Sequence, residues 1–260
     1  MVSDDRTVRL DLGHIHGWCR ATNAAHYDRH LTMLSSEERL RCDRFHFDRD
    51  RQDYANAHDL LRRALSRYDT TSPELWQFEA PRGAKPFLTA GSSGGETCTG
   101  LDFNLSHTQG LVACVVGRGT TVGIDVERID RLWDAMNLAP RFFSPAEVAD
   151  LHACGEAARM RRFIELWTLK ESFIKAIGRG LSQPLDSFSF SLSENGAIGF
   201  LPPPEFAARR WHFAQYDVTP YAVLAIAADV DRAPTFLVQS MDSDRIVELV
   251  PSRTSQPNRR

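Results

Sequence analysis

The chain has 260 residues and a formal net charge of −3, from 31 Lys and Arg against 34 Asp and Glu. This length can bury the core of one large domain or two smaller ones, and the slightly acidic balance argues against a dedicated nucleic-acid binder. The amino terminus has no signal-peptide pattern, and no apolar run is long enough to cross a bilayer. The five cysteines are widely spaced with no C-x-x-C pair, which is typical of reduced thiols. The sequence therefore predicts a cytoplasmic globular protein that binds neither nucleic acid nor membranes.

The first half of the chain predicts several short strands around one long helix. Alternating apolar residues indicate a strand over 7–12, and Ser35 with Glu38 forms the Ser-x-x-Glu pattern of a capping box that opens a helix. A longer helix is expected over 50–68, because apolar residues there recur on one face. A loop rich in Gly and Ser is predicted over 91–100. Further strands are predicted over 75–79, 101–105 and 111–116.

The second half repeats this order of elements. The segment 144–147 gives a strong helix start, with a Ser cap, Pro at the first helical position and Glu at the third. The main helix is expected over 157–177 and ends at Gly178, a residue suited to a left-handed cap. Strands are predicted over 121–127, 187–192, 197–201, 211–216 and 222–227.

Both halves combine a long helix with a small, mostly antiparallel sheet, so we expect an α+β fold made of two similar halves. The first half is predicted over 1–118 and the second over 119–250. The last residues, 251–260, are polar and end in two arginines, and we expect them to form a disordered tail.

Two acidic motifs carry the most specific chemistry of the sequence. Asp125 and Glu127 lie two residues apart in a predicted strand, so both side chains point to one face. Taken alone, this pair is typical of a solvated edge strand, although Gly123 on the same face leaves room for a ligand. Glu171 and Lys175 lie four apart on the main helix, a spacing that also occurs in ordinary surface pairs. Apolar residues cover most of that helix, however, and buried charges need partners.

A metal site follows if these two motifs meet. Should Glu171 face Asp125 and Glu127, three carboxylates converge, and such a cluster needs a bound cation or a carboxyl proton at neutral pH. Oxygen ligands with places left for water and phosphate favour magnesium or manganese over zinc. Lys175, one helical turn further on, would then contact a phosphate oxygen and offset the charge of a leaving group.

A third group of polar residues lies at the end of a predicted strand and comprises Asn104, Ser106 and His107. An amide, a hydroxyl and an imidazole can together bind an anion. The alternative for Ser106 and His107 is nucleophilic hydrolysis. We disfavour it because residues adjacent in sequence rarely point at each other and the chain contains no G-x-S-x-G elbow.

Joined in order, these motifs resemble the Sfp-type 4'-phosphopantetheinyl transferases over nearly the whole chain. The resemblance rests on Asn-x-Ser-His at 104–107, Gly-Ile-Asp-x-Glu at 123–127 and Trp-x-x-Lys-Glu-Ser-x-x-Lys at 167–175. It implies a pseudodimer of two α+β halves with coenzyme A in the cleft between them. It also implies transfer of the phosphopantetheine arm of coenzyme A to a serine of an apo acyl or peptidyl carrier protein, with 3',5'-adenosine bisphosphate as co-product.

The same resemblance implies roles for individual residues. Asp125, Glu127 and Glu171 match the acids that bind Mg²⁺, with Mn²⁺ as an alternative metal. Glu171 is the first candidate for the base that activates the carrier serine, and Glu127 is the second. Lys175 matches the lysine that binds the diphosphate. Further contacts to coenzyme A are implied for Arg41, Lys85, Asn104, Ser106 and His107.

Two other functions are alternatives to this transferase. One is a non-catalytic module that binds coenzyme A or a carrier protein on an old enzyme scaffold. The other is a metal-dependent phosphohydrolase that uses water in place of the carrier serine. The retained cluster of repulsive carboxylates favours the enzyme over the binding module. The two internal halves make a monomer the expected state, and the carrier is expected to serve fatty acid or secondary metabolite biosynthesis.

Overall fold

Two β-sheets pack face to face, and one long helix covers the outer side of each. The computed structural model describes residues 10–22, 24–81, 84–89, 100–130, 134–242 and 245–255. One buried cluster is shared by residues of both sheets, and the two other large clusters lie between a sheet and its helix. This arrangement confirms the predicted α+β fold of two similar halves.

The helices and strands have the following bounds. The helices are α1 (Tyr27–Thr32), α2 (Ser36–Cys42), α3 (Asp48–Leu65), α4 (Ala135–Phe142), α5 (Pro145–Ala153) and α6 (Glu156–Ile177). The strands are β1 (His14–Ala21), β2 (Phe78–Glu79), β3 (Phe87–Leu88), β4 (Leu101–Thr108), β5 (Leu111–Arg118), β6 (Thr121–Arg128), β7 (Ser189–Leu192), β8 (Ala197–Leu201), β9 (Trp211–Thr219), β10 (Ala222–Asp229), β11 (Thr235–Asp242), β12 (Arg245–Leu249) and β13 (Arg253–Ser255).

The first sheet has the strand order β12-β11-β1-β5-β4, and the second has the order β6-β10-β9-β13-β8-β7. Most neighbours are antiparallel, while β1 with β11 and β13 with β8 are parallel. The strands β11 and β12 lie within the range 119–250 but complete the sheet of the first half. Strand β13 of the second sheet lies beyond residue 250, and the division of the chain into 1–118 and 119–250 stays a prediction.

Side chains of β4 join the two sheets. Strand alternation turns every second residue of β4 toward β6, and the oxygens of these side chains accept hydrogen bonds from every second backbone N–H group of β6. The backbone N–H of Val122 donates to the side chain of Asp102 at 2.9 Å. In the same way, Ile124 donates to Asn104 at 3.1 Å and Val126 donates to Ser106 at 3.3 Å. We call these three side chains the polar ladder. It fixes the edge of one sheet against the edge of the other.

Close approach of α6 to β6 depends on one glycine. A Cβ atom on Gly123 would lie 2.1 Å from the carbonyl oxygen of Ser172 and 2.5 Å from the backbone nitrogen of Ala176. No side chain fits into that space, so Gly123 lets the helix backbone rest on the strand. The same face of β6 carries Asp125 and Glu127, and α6 carries Glu171, which brings the two acidic motifs together.

The predicted helix boundaries hold well. Both capping boxes are present, at Ser35 with Glu38 and at Ser144 with Glu147. The two long helices begin within two residues of the expected positions, and α6 ends at Gly178 with φ 68°. None of the described helices is both long and apolar enough to cross a membrane.

Several strand predictions are wrong. Of the strand expected over 7–12, residues 7–9 lie outside the described residues and residues 10–12 form no strand, since β1 begins only at His14. Of 75–79, only Phe78–Glu79 is a strand, since Pro73–Leu75 forms a short 3-10 helix. The predicted loop over 91–100 lies outside the described residues except for Gly100.

The expected disordered tail is also wrong for Arg253–Ser255, which form β13 inside the second sheet. Residues 256–260 lie outside the described residues. Strand β13 is polar, so its composition does not indicate a strand. Its order comes from backbone pairing with β9 and β8, which local sequence does not reveal.

Candidate active site

A hydrogen-bonded triangle joins the two halves. Asp125 lies in the middle of β6 and is only 4% exposed. Its Oδ1 accepts hydrogen bonds from Lys175 Nζ at 2.7 Å and from Ser106 Oγ at 2.9 Å. Lys175 Nζ also donates to Ser106 Oγ at 2.9 Å. The triangle thus contains one residue from each of the three sequence motifs, which lie on β4, β6 and α6.

The second carboxylate oxygen of Asp125 is available to a ligand. Oδ2 is buried and lacks a hydrogen-bond partner among the described residues. Glu171 lies one turn before Lys175 and is half-buried. Burial raises the pKa of Glu171, the negative charge of Asp125 raises it further, and the charge of Lys175 opposes the shift. A buried, unsatisfied carboxylate oxygen beside a second carboxyl group suits a hard divalent cation.

Glu127 has a different environment from the other two acids. Its Oε2 accepts a hydrogen bond from Thr108 Oγ1 at 3.0 Å, at the end of β4. Across the described ranges, no three His, Cys, Asp or Glu side chains lie close enough together to hold a metal ion. The oxygen donors of Asp125 and Glu171 fit Mg²⁺, whereas the complete three-acid set with Glu127 stays a prediction.

His107 lies on the opposite side of β4 from Ser106, because successive strand residues alternate. Although part of the ring reaches solvent, the surrounding protein lowers the pKa of His107 by removing water. The charge of Asp53 opposes this shift and that of Lys175 assists it. The lowered pKa favours the neutral imidazole, which offers one N–H donor. A bound phosphate would favour the protonated form, which has two donors.

A cavity of about 520 Å³ lies on the same side of β4, between that strand, α2 and α3. Its apolar walls include Phe78, Phe103 and Leu105, and Arg41 and Arg44 line it as well. Both arginines are exposed, and neither guanidinium has an ion pair within the described part of the chain. The volume is typical of a site for a small molecule, and the free guanidinium groups suit an anionic ligand.

Lys85 and Asn104 belong neither to the hydrogen-bonded triangle nor to the lining of the cavity. Lys85 Nζ donates to the carboxylate of Asp102 and to the carbonyl oxygen of Val122, the latter at 2.7 Å. Burial lowers the pKa of Lys85, and the charge of Asp102 opposes this shift. Asn104 accepts from the backbone of Ile124 within the polar ladder. The structure thus places both residues at the joint between the sheets, with their polar atoms engaged.

One buried ion pair beside the site was missed by the sequence analysis. Lys170 Nζ lies 2.8 Å from Glu147 Oε2, and both side chains are fully buried. The same ammonium donates to the carbonyl oxygens of Leu185 and Phe188, both at 2.8 Å. Burial lowers the pKa of Lys170, and Glu147 opposes the shift. The available signal was a lysine directly before Glu171 on a helix covered by apolar residues.

The fold and this site define a class of protein: two α+β halves with a carboxylate and lysine cluster at their joint and an arginine-lined cavity beside it. Two family models match, the 4'-phosphopantetheinyl transferase superfamily over residues 121–227 and the 4'-phosphopantetheinyl transferase N-terminal region over 18–118.

Curated relatives agree with these matches. A 4'-phosphopantetheinyl transferase of Bacillus subtilis is 33% identical over 184 residues, covering 71% of this chain and 78% of that protein. The 4'-phosphopantetheinyl transferase Sfp of Bacillus subtilis (strain 168) is 30% identical over 201 residues, covering 77% and 84%. The 4'-phosphopantetheinyl transferase HetI of Nostoc sp. is 35% identical over 150 residues, covering 58% and 62%. The chain belongs to the 4'-phosphopantetheinyl transferase family.

Proposed function

We propose that the protein transfers the 4'-phosphopantetheine arm of coenzyme A to a serine hydroxyl of an apo acyl or peptidyl carrier protein, in a Mg²⁺-dependent reaction. The observation that carries this proposal is the joint between the halves. There, the buried and unsatisfied Oδ2 of Asp125 lies near Glu171, while Lys175 bridges Asp125 and Ser106. Family membership supports the same reaction.

The first half has the features needed for the nucleotide end of coenzyme A. That end carries an adenine base, a 3'-phosphate and a 5'-diphosphate, so it needs an apolar surface flanked by cationic groups. The cavity offers Phe103 and Leu105 for the base, with Arg41 and Arg44 for phosphate. His107, on the same side of β4, would donate to the 3'-phosphate. Lys85 and Asn104 would act indirectly, by holding the strand that carries His107.

The second half has the groups needed for the chemical step. The serine oxygen forms the new bond to the phosphorus that carries pantetheine, and the bond from that phosphorus to the bridging oxygen breaks. Glu171, whose pKa is raised by burial, would accept the serine proton, and Glu127 is the second candidate. Lys175 would donate to the departing phosphate of 3',5'-adenosine bisphosphate.

Asp125 and Glu171 would hold Mg²⁺, with Mn²⁺ as an alternative and Glu127 as a third ligand. When bound there, the ion would neutralise charge on the diphosphate. Asp125 would keep the metal beside the polar ladder, because its Oδ1 is fixed by Ser106. A monomeric enzyme in the cytoplasm belongs to the same proposal.

Intact-protein mass spectrometry of an apo carrier protein tests this function. The carrier is incubated with the protein, coenzyme A and Mg²⁺, and the controls contain EDTA or a carrier whose acceptor serine is replaced by alanine. We expect a mass gain of one phosphopantetheine, lost in both controls, with 3',5'-adenosine bisphosphate found by chromatography. No gain across several carriers despite coenzyme A binding would favour a binding module. Phosphopantetheine released without carrier modification would favour a phosphohydrolase.

A further inference from the structure

The short strand β13 closes a gap in the second sheet. It pairs with β9, where Arg253 lies opposite Gln215, and with β8, where Ser255 lies opposite Ile198. In the described part of this sheet, the β7–β8 hairpin pairs with no strand other than β13. Neighbouring strands lie about 4.8 Å apart, so removing β13 would leave β8 and β9 about 10 Å apart and unpaired.

The side chain of Arg253 connects the hairpin to α6. Its Nη1 donates to the carbonyl oxygen of Ser193, in the turn of the β7–β8 hairpin, at 2.7 Å. Its Nη2 lies 3.6 Å from Oε2 of Glu165, a residue of α6 that is only 4% exposed. Arg161 and Arg162 also reach Glu165, but both belong to α6 itself. Among the described ion pairs of Glu165, Arg253 alone ties α6 to another element.

A second connection runs through β9. The backbone nitrogen of Ser252 donates to the carbonyl oxygen of Gln215 at 2.8 Å. The side-chain amide of Gln215 then donates to the carbonyl oxygen of Glu165 at 2.9 Å and to Thr168 Oγ1 at 3.1 Å. Gln215 therefore links the residue before β13 to the helix turn that precedes Glu171.

A third connection runs through the hairpin. Lys170 donates to the carbonyl oxygen of Phe188, just before β7, and Glu147 accepts from the backbone nitrogen of Phe190 within β7. The buried Lys170–Glu147 pair thus depends on the position of β7, which β13 holds in the sheet. Lys170 directly precedes Glu171 on α6.

We propose that β13 is a strap that positions α6, and that Arg253 is a positioning residue for the catalytic groups. The strap contacts α6 directly at Glu165, and it acts indirectly at Thr168 through Gln215 of β9 and at Lys170 through the hairpin. These contacts fix the turn that carries Glu171 and Lys175 against Asp125. The inference rests on the proposed function for the catalytic role of Glu171 and Lys175. A displacement of about 1 Å at such groups lowers the rate on the order of 100-fold.

Four altered chains test the strap. One ends after residue 250 and lacks β13, and its matched control ends after residue 255 and keeps it. The other two are Arg253→Ala and Arg253→Lys in the full chain. For each chain, kcat and KM are measured with carrier and coenzyme A. Binding of 3',5'-adenosine bisphosphate is measured by calorimetry without Mg²⁺, and backbone hydrogen exchange is measured over 165–175.

We expect the control chain to match the full protein. The chain ending after 250 and Arg253→Ala lose kcat by about tenfold or more, while KM for coenzyme A and nucleotide binding change by less than about twofold. Exchange over 165–175 becomes faster in both. Arg253→Lys restores part of kcat, because an ammonium keeps the charge near Glu165.

Unchanged exchange over 165–175 in the chain ending after 250 would overturn the strap, and full kcat in that chain would overturn its role in positioning the catalytic groups. The positioning role of Arg253 would also be overturned if Arg253→Ala lowered nucleotide binding as much as kcat, because that result indicates general destabilisation. Hydrogen exchange needs no substrate and decides the strap by itself. If the full chain modifies no carrier, the proposed function fails, while faster exchange in Arg253→Ala still supports the strap and unchanged exchange still refutes it.

Discussion

The cavity of the first half and the region around α6 in the second half hold their charged groups in different ways. In the first half, Arg41 and Arg44 line a cavity, are exposed and have no ion pair within the described residues. In the second half, Lys170 and Glu147 form a fully buried ion pair, and Lys175 is already paired with the buried Asp125. Exposed charges can pair with an incoming anion at a small desolvation cost, whereas buried pairs are oriented before any ligand arrives. We therefore expect the cavity to serve binding and the groups around α6 to serve the chemical step.

The largest effect is expected from Glu171→Gln, which should abolish chemistry and spare nucleotide binding. We expect kcat to fall about 10³-fold, as is typical for loss of a general base. Binding of 3',5'-adenosine bisphosphate should stay within about twofold, because the cavity lies in the other half. Single-turnover carrier modification and calorimetry measure the two quantities. A near-normal rate would remove Glu171 from both the base and the metal assignments.

The buried pair predicts a large effect on stability. Lys170→Met leaves Glu147 charged and without its ammonium partner, and the free energy of unfolding should fall on the order of 3 kcal/mol. The matched control is Arg179→Met, since Arg179 and Glu205 form an ion pair with both side chains nearly half exposed. In Arg179→Met, the free energy of unfolding should fall by less than about 1 kcal/mol. If urea denaturation showed equal losses of unfolding free energy in the two variants, burial would not distinguish the two ion pairs.

Gly123→Ala tests the close approach of strand and helix. Its Cβ would overlap the carbonyl oxygen of Ser172, so α6 has to move away from β6. We expect the free energy of unfolding to fall by about 2–3 kcal/mol, together with a loss of activity. Gly155→Ala is the control, because its Cβ meets no atom within 4 Å. Wild-type activity in Gly123→Ala would show that the spacing is not required.

A smaller effect is expected on the binding side. His107→Ala should weaken coenzyme A about tenfold, the size expected for one charge-assisted hydrogen bond, and leave 3'-dephospho-coenzyme A nearly unchanged. Calorimetry with both ligands measures the difference, and His152→Ala, an exposed histidine of α5, is the control. Equal losses for the two ligands would refute contact with the 3'-phosphate.

The smallest effect is expected on the pH dependence of stability, measured in the absence of divalent cations. A carboxyl group whose pKa is raised in the folded state binds its proton more tightly there. For Glu171, this stabilising contribution is lost as the pH rises from the ordinary pKa of 4.5 through the raised value. Glu171→Gln should therefore be more stable than the parent at pH 7, with Tm higher by about 2 °C. Glu205→Gln is the exposed control, and an unchanged Tm in Glu171→Gln would contradict the shift.

Local pattern predicted much of the site. Asp125 and Glu127 share a face because a strand has period two, and Glu171 and Lys175 align because a helix places residues four apart in one row. The capping residues Ser35 and Ser144 marked helix starts for the same local reason. Such features depend only on neighbours in sequence, so the sequence alone reveals them.

Features that depend on distant residues were not predicted. Lys85 pairs with Asp102, and Lys170 with Glu147, because the fold brings separate elements together. Strand β13 forms through backbone pairing with β9 and β8, to which its polar side chains give no clue. Each contact spans many residues, and neither composition nor periodicity records it.

A crystal structure of the protein with coenzyme A and Mn²⁺, using anomalous scattering to locate the metal, tests the proposed site most directly. We expect a manganese peak within coordination distance of Asp125 Oδ2, with a Glu171 oxygen also among the metal ligands. We also expect the adenine in the cavity lined by Phe103 and the 3'-phosphate beside His107. A metal bound away from Asp125, or coenzyme A bound within one half only, would contradict the proposed function of the site.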